Sequence, residues 1–285
     1  MLDARIEETK AGRVRVARLG RGAPLVLLHG YPETLQIFSA LAPLLAADHQ
    51  IYAFDWPGLG GSELQRGGAT PEAQADRLLA LLDGWGLERA ALAGMDMGGQ
   101  PALAFAARHP ERISALIAMN TLAFGDEETS WEIRVLRRFG WNRLALTHLP
   151  RAVFLRAERT FLPRGERLPA DLRDELWARF RDPGARAFLV RMCAGYEGSL
   201  RRLPELYARI RCPTLVLWGE EDKHFPPAHA RRLHQTIAGS RLQLLPGAHH
   251  WMAWHAAERV AAAIADFLRG AVTGSLIAGQ GPVAP

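Results

Sequence analysis

Asp96 stands in the stretch Gly94-Met95-Asp96-Met97-Gly98, directly after the apolar run AALAGM (90–95). Small residues two positions to either side suit a sharp strand-to-helix turn, where crowding excludes larger side chains and one side chain is thrust out at the end of a sheet. The usual occupant of such a turn is serine, whose hydroxyl needs a base to take its proton; a carboxylic acid with an ordinary pKa near ~3.9 is already an anion at neutral pH. A carboxylate at Asp96 therefore attacks carbon unaided and becomes an ester. Asp is also a strong helix N-cap favoured by the positive end of the helix dipole, so the turn taken alone has an equally good structural explanation.

An ester on the chain must be hydrolysed, which calls for water, a general base and an acid that orients the base. After Asp96 the chain supplies Glu220, Glu221 and Asp222 at the end of LVLWGEED, and then the adjacent His249 and His250 in LLPGAHHW. Nucleophile, acid, histidine is the chain order that goes with such a turn.

These residues need elements to hold them. Short apolar runs, VRVARL (14–19), APLVLLHG (23–30), QIYAFD (50–55), AALAGM (90–95) and SALIAMN (114–120), alternate with amphipathic stretches around 35–47, 71–85 and 98–109. That alternation predicts an α/β fold, a mostly parallel sheet wrapped by helices. After Asn120 the strand signal gives way to Arg-, Leu- and Trp-rich helical sequence, returning only in CPTLVLWGEED (212–222) and RLQLLPGAHH (241–250). An all-helical insertion within one domain explains this, because two strands and a closing helix are too little to form a second core. The expected organisation is a core from 1–120 and 206–272, a helical cap at 121–205, and a tail at 273–285 that lacks periodicity and is expected to be disordered.

The motifs LVLLHGYPE, FDWPGLGGS, AGMDMGG, MNTLAFG, WGEEDKHFP and LPGAHHW together resemble the α/β-hydrolase superfamily, specifically its Asp-nucleophile branch of epoxide hydrolases and haloalkane or haloacetate dehalogenases. The resemblance covers roughly residues 13 to 270 and implies Asp96 as nucleophile, Asp222 as catalytic acid and His250 as base, with Glu221 and His249 as their alternatives. It implies that Tyr31, before the proline of His29-Gly30-Tyr31-Pro32, and Met97 donate backbone N–H groups to an oxyanion hole, and that His29 has a structural hydrogen-bonding role.

Both chemistries of that branch begin with carboxylate attack on saturated carbon and differ in what stabilises the leaving atom. In relatives a halide is met by a tryptophan after the nucleophile and often by an asparagine in the place of Tyr31; here Met97 and Tyr31 stand there, and DMGGQPALAF carries none of the arginines of haloacetate dehalogenases. A ring-opened alkoxide is met by tyrosines of the cap. Tyr196, in RMCAGYEGSL, falls where the second of these belongs and is expected to stay protonated and act as general acid. The first position has no tyrosine, the cap's only other one being Tyr207; Trp141 or His148, in GWNRLALTHLP, is expected in that area, with Trp141 equally suited to bind a halide. The resemblance thus points to an epoxide hydrolase, with a dehalogenase as runner-up and a non-catalytic binding protein on the same fold as the rival of another class.

Composition narrows the remainder. The net charge of +5 is spread over basic residues interleaved with acids, as in RAERTFLPRGERLPADLRDELWARFRD (156–182), which describes solvated helix faces and not a nucleic-acid-binding stripe. Nearly all of that charge is arginine, lysine occurring only as Lys10 and Lys223. No apolar run is long enough for a membrane span, the N-terminal stretch lacks the pattern of a secretory signal, and cytoplasmic residence is expected. Cys193 and Cys212 are too few for a disulfide framework, the ten histidines form no metal set, and no cofactor is implied. The expected partners are a small hydrophobic epoxide and water, for a chain that is a monomer or a homodimer.

Overall fold

Every apolar run singled out in the sequence becomes a strand of one sheet. They are β2 (Gly12–Leu19), β3 (Ala23–Leu28), β4 (His49–Phe54), β5 (Ala90–Met95), β6 (Ile113–Met119), β7 (Thr214–Gly219) and β8 (Arg241–Leu245). An eighth, β1 (Arg5–Thr9), was not expected: RIEET is mostly charged and lies at the solvated edge, paired only with β2. This computed structural model describes residues 1–65, 67–138 and 140–278, with side chains to residue 271.

The strand order is β1-β2-β4-β3-β5-β6-β7-β8. β1, β2 and β4 pair antiparallel, and every pairing from β4 to β8 is parallel. β5 and β7 are buried at every position, as strands covered by helices on both faces must be, which is why they are continuous apolar runs without alternation.

The chain leaves β3 toward β4 on one side and returns to β5 on the other, so the order reverses between β3 and β5. At such a reversal the loops following two neighbouring strands diverge and leave a crevice at their carboxyl ends. The Gly30–Glu33 loop and Asp96 flank that crevice.

Helices α1 (Ala42–Leu45), α2 (Pro71–Gly84) and α3 (Gly99–Arg108) lie within the first part of the chain. α2 starts where expected because Thr70 caps it, its hydroxyl accepting the Ala73 N–H at 3.2 Å, and because Pro71 occupies the first turn. Between β6 and β7 come only helices: α4 (Trp131–Arg137), α5 (Trp141–His148), α6 (Pro150–Phe161), α7 (Ala170–Phe180), α8 (Pro183–Arg202) and α9 (Pro204–Tyr207). α10 (Pro227–Thr236), α11 (Met252–His255) and α12 (Ala257–Ala278) complete the fold. α12 carries helix into the 273–285 segment as far as Ala278, where no periodicity had been read; the rest of that segment, 279–285, lies outside the described residues. Among the described residues no helix is long and apolar enough to cross a membrane.

α8 is pinned to the core. Ser199 donates to Glu72 of α2 at 2.6 Å, Arg202 reaches the same carboxylate at 3.1 Å, and Tyr207 of α9 donates to the Ala123 carbonyl at 2.9 Å. These bonds place the inner face of α8 over the carboxyl end of β5.

Candidate active site

Asp96 begins the turn from β5 into α3 with φ of 49°, a left-handed conformation that L side chains rarely adopt. The turn is tight enough to dictate its neighbours. A Cβ on Gly94 would lie 2.5 Å from the Gly98 carbonyl oxygen, and one on Gly98 would strike the Leu28 carbonyl of β3. The strained backbone is tied down by the two residues that follow β6: the Asp96 N–H donates to the Asn120 carbonyl at 3.1 Å, and the Thr121 hydroxyl donates to the Asp96 carbonyl at 2.6 Å. Strain of this kind persists where surrounding bonds over-determine it.

The carboxylate of Asp96 is buried and points into the crevice. Its Oδ2 accepts the Tyr31 N–H at 2.7 Å, and the Met97 amide adds to the stabilisation of its charge. The two backbone donors expected from the sequence thus converge on one group. Burial pushes the Asp96 pKa up, while His250 and these two amides hold it back, leaving it at about 6. Asp96 is ionised at neutral pH.

His250 reaches the crevice from the loop after β8. Its Nδ1–H donates to Asp222 Oδ2 at 2.8 Å, and its Nε2 lies 3.8 Å from Asp96 Oδ1. Asp222, after β7, is held in turn by the N–H groups of His224 (2.8 Å) and Phe225 (3.1 Å) on Oδ1. Burial disfavours the charge on His250, but Asp222, Asp96 and Glu33 outweigh it and raise its pKa to about 9. Asp222 sits below the usual carboxylate range because the imidazolium outweighs its burial. Phe161, with its ring centroid 4.3 Å away, and Phe225, at 5.3 Å, close around the imidazole.

The alternatives fall elsewhere. Glu220 and Glu221 are exposed, and His249 turns toward His255, whose Nε2 accepts the His249 N–H at 3.0 Å. His29 is bonded internally: Nδ1 donates to the Gly30 carbonyl at 2.9 Å, a tautomer assigned by the Trp56 N–H that donates to Nε2 at 3.2 Å.

Tyr196 of α8 lines the pocket that contains Asp96, its hydroxyl donating to the Met97 carbonyl at 2.9 Å. Burial and the charge of Asp96 raise its pKa well above that of a free phenol. Trp141 and His148 do not reach the site, contrary to expectation. Both are exposed, Trp141 at 61%, because α5 buries Asn142 and Leu146 and turns the opposite face to solvent. Tyr207 is spent on the Ala123 carbonyl.

Three features escaped the sequence reading. Glu33 is buried behind Asp96, accepting the Gly30 N–H at 2.8 Å and the Trp251 indole N–H at 2.6 Å; burial and the Asp96 charge push its pKa up to about 8. Its one signal was an acid directly after HGYP. Asn120 ties three segments together, donating to the carbonyls of His249 and His250, both at 3.0 Å, and accepting the Gly219 N–H at 2.9 Å. The Tyr31 side chain also lines the Asp96 pocket, which had no signal beyond the residue type.

The pocket around Asp96 shares Tyr31, Ile133 and Leu136 with a larger cavity of about 380 Å³ lined by α4, α5 and α6. The larger space does not itself touch Asp96. Its walls are apolar apart from a few groups, and its one arginine, Arg156, is paired with Glu132 at 2.7 Å. Among the described residues no group of three or more histidines, cysteines or acids is placed to hold a metal ion.

A family model described as alpha/beta hydrolase fold matches residues 23–257. Among curated relatives, the dihydrolipoyllysine-residue acetyltransferase component of the acetoin cleaving system of Pseudomonas putida is 30% identical over 253 residues, 87% of this chain and 64% of that protein. The chain therefore spans less than two thirds of that relative's length. The 2-hydroxy-6-oxo-6-phenylhexa-2,4-dienoate hydrolase of Comamonas testosteroni is 28% identical over 265 residues, 88% of this chain and 89% of that one. Among solved structures, the epoxide hydrolase CorEH superposes with a TM-score of 0.83 at 18% identity, covering 95% of this chain and 99% of the other, a likeness of fold alone.

Proposed function

The chain belongs to the alpha/beta hydrolase fold family and is a hydrolase of that fold, and from that premise we propose that it opens organic epoxides to vicinal diols through an ester on Asp96. The observation that carries the reading is the Asp96 carboxylate itself: held by the Tyr31 N–H and facing His250 Nε2 across 3.8 Å, it stands where an attacking group must stand, with a base beyond it.

In the first step a carboxylate oxygen of Asp96 bonds to a ring carbon while that carbon's bond to the ring oxygen breaks. The electron pair stays on the oxygen, which takes a proton from Tyr196. Esterification removes the negative charge of Asp96, one of the anions that keep the proton on His250, so the imidazole becomes a better base once the ester exists. In the second step His250, oriented by Asp222, takes a proton from water, and the hydroxide adds to the ester carbonyl. The Tyr31 N–H, bonded to the carboxylate at 2.7 Å, and the Met97 amide beside it are the donors for the oxyanion in this reading. Collapse releases the diol and leaves one water oxygen in Asp96, and the proton taken up by His250 returns to the Tyr196 phenolate, so that epoxide and water become diol.

Two observations weigh against the other readings. The halide donor that a dehalogenase would take from the helical segment, Trp141, points to solvent. A hydrolase acting at a carbonyl, as the dienoate-hydrolysing relative suggests, gains little from a carboxylate nucleophile, because attack there makes a reactive anhydride where attack on saturated carbon makes a stable ester.

The test is turnover of styrene oxide in water enriched in oxygen-18, followed by mass spectrometry of the peptide that contains Asp96. Diol formation with label in that carboxylate is the expected result. Diol formation with an unlabelled carboxylate, or no diol at all, rules the reading out.

A further inference from the structure

The helical segment supplies one tyrosine to the Asp96 pocket, and in the free protein the proton of Tyr196 is directed at the Met97 carbonyl. A second phenol stands in the same pocket, brought by the core. Tyr31 is only 3% exposed, and its hydroxyl has no hydrogen-bond partner among the described residues. A buried hydroxyl left unpaired gives up the hydrogen bonds it made to water, so one that lines a pocket calls for an explanation, and a ligand that completes it is one. The ring is held edge-on to Phe180 of α7, with centroids 5.7 Å apart, and borders both the Asp96 pocket and the larger apolar cavity. Burial, Cys193 and Asp96 all oppose its ionisation, so it stays a donor across the working pH range.

We infer that the Tyr31 hydroxyl is a catalytic donor to the oxygen of the substrate, partner to Tyr196, and fills from the core loop the place that the helical segment leaves without a tyrosine. The inference rests on the epoxide reading. When Asp96 bonds to carbon, the electron pair of the broken carbon–oxygen bond settles on an oxygen held between two phenols. One phenol gives up its proton, and the proton released when water adds to the ester restores it, so that epoxide and water become diol with nothing left over.

The experiment places Tyr31→Phe and Tyr196→Phe, singly and together, in a His250→Ala background where the ester accumulates, and follows the mass gain of the whole protein with styrene oxide. Phenylalanine keeps the ring and the backbone N–H. Each single change is expected to slow esterification about 10- to 100-fold, the range for losing part of general-acid assistance. Tyr31→Phe is also expected to melt no lower than its parent, because it deletes a hydroxyl with no partner. An unchanged esterification rate in Tyr31→Phe, with Tyr196→Phe slowed, overturns this assignment alone. So does a slowed rate accompanied by a melting temperature several degrees lower, which marks a packing role. Absence of any mass gain in the His250→Ala parent removes the epoxide reading and this inference with it.

Discussion

His250 Nε2 lies 3.8 Å from Asp96 Oδ1, beyond hydrogen-bonding distance, while Nδ1 of the same ring is bonded to Asp222 at 2.8 Å. On the proposed reading, the gap lets imidazole and carboxylate act in succession, Asp96 attacking first and the base then facing the ester. His250→Ala should therefore esterify and stall. Intact-protein mass spectrometry is expected to show a stoichiometric adduct with steady-state turnover reduced at least about 1,000-fold, as for loss of a group that acts as one unit with its partners. Turnover without an adduct would place the chemistry elsewhere.

Glu33 and Asp96 set the pH response. Both carboxyls have folded pKa values above their ordinary ones, about 8 for Glu33 and about 6 for Asp96. Each therefore holds its proton more tightly when folded, and the stability it contributes is complete below the ordinary carboxylate range and lost as pH rises through those values. Esterification needs ionised Asp96, so its rate is expected to fall below about pH 6. Glu33→Gln removes the titration, at the loss of one of the two N–H bonds that the Glu33 oxygens accept from Gly30 and Trp251. It should keep esterification at pH 7 within about threefold of the parent, a loss under 1 kcal/mol, and should not share the parent's drop in melting temperature between pH 6 and 8. Parallel melting curves across that range refute the assignment.

Asn120 joins the ends of β6 and β7 to the histidine loop through three bonds, to Gly219, His249 and His250. Asn120→Ala leaves buried partners unpaired and is expected to cost roughly 2–4 kcal/mol in denaturant unfolding. Because the His250 backbone loses its anchor, ester hydrolysis should slow more than ester formation. Equal loss in both steps points to a general loss of folded protein instead.

What the sequence made legible follows from locality. Asp96, Asp222 and the histidine pair each sit just past a strand of a parallel sheet, and a parallel sheet brings such ends to one edge whatever the loops between them do, so short motifs sufficed. Trp141 and His148 failed for a reason equally physical. Seven residues apart on α5, they share one helical face, and only the packing of Asn142 and Leu146 decides that this face is the outer one. β1 was missed because an edge strand need not alternate apolar and polar residues. The buried Glu33 and the unpaired Tyr31 hydroxyl depend on neighbours far along the chain, Trp251 for the first and Phe180 for the second.

If Asp96 holds an epoxide as proposed, substrate size is set where the two cavities meet. Ile133 and Leu136, one turn apart on α4, border both the Asp96 pocket and the 380 Å³ cavity, so an epoxide held at Asp96 extends its substituent past them. The walls there are largely apolar, and the two arginines that border them are paired, Arg156 with Glu132 at 2.7 Å and Arg137 with Glu197 at 3.0 Å, which favours an uncharged hydrocarbon arm over a carboxylate or phosphate. Each methylene buried there is worth about 0.8 kcal/mol, or roughly fourfold in kcat/KM, until the cavity is full. A series of terminal 1,2-epoxyalkanes of increasing length should trace that rise and then a plateau. Ile133→Trp narrows the passage and is expected to end the rise at a shorter chain while leaving kcat/KM for the smallest members within about threefold, since the donors at Asp96 are untouched and under 1 kcal/mol of transition-state binding is altered. The same plateau in both proteins means that the arm leaves by another route, and a flat series means that it is not buried at all.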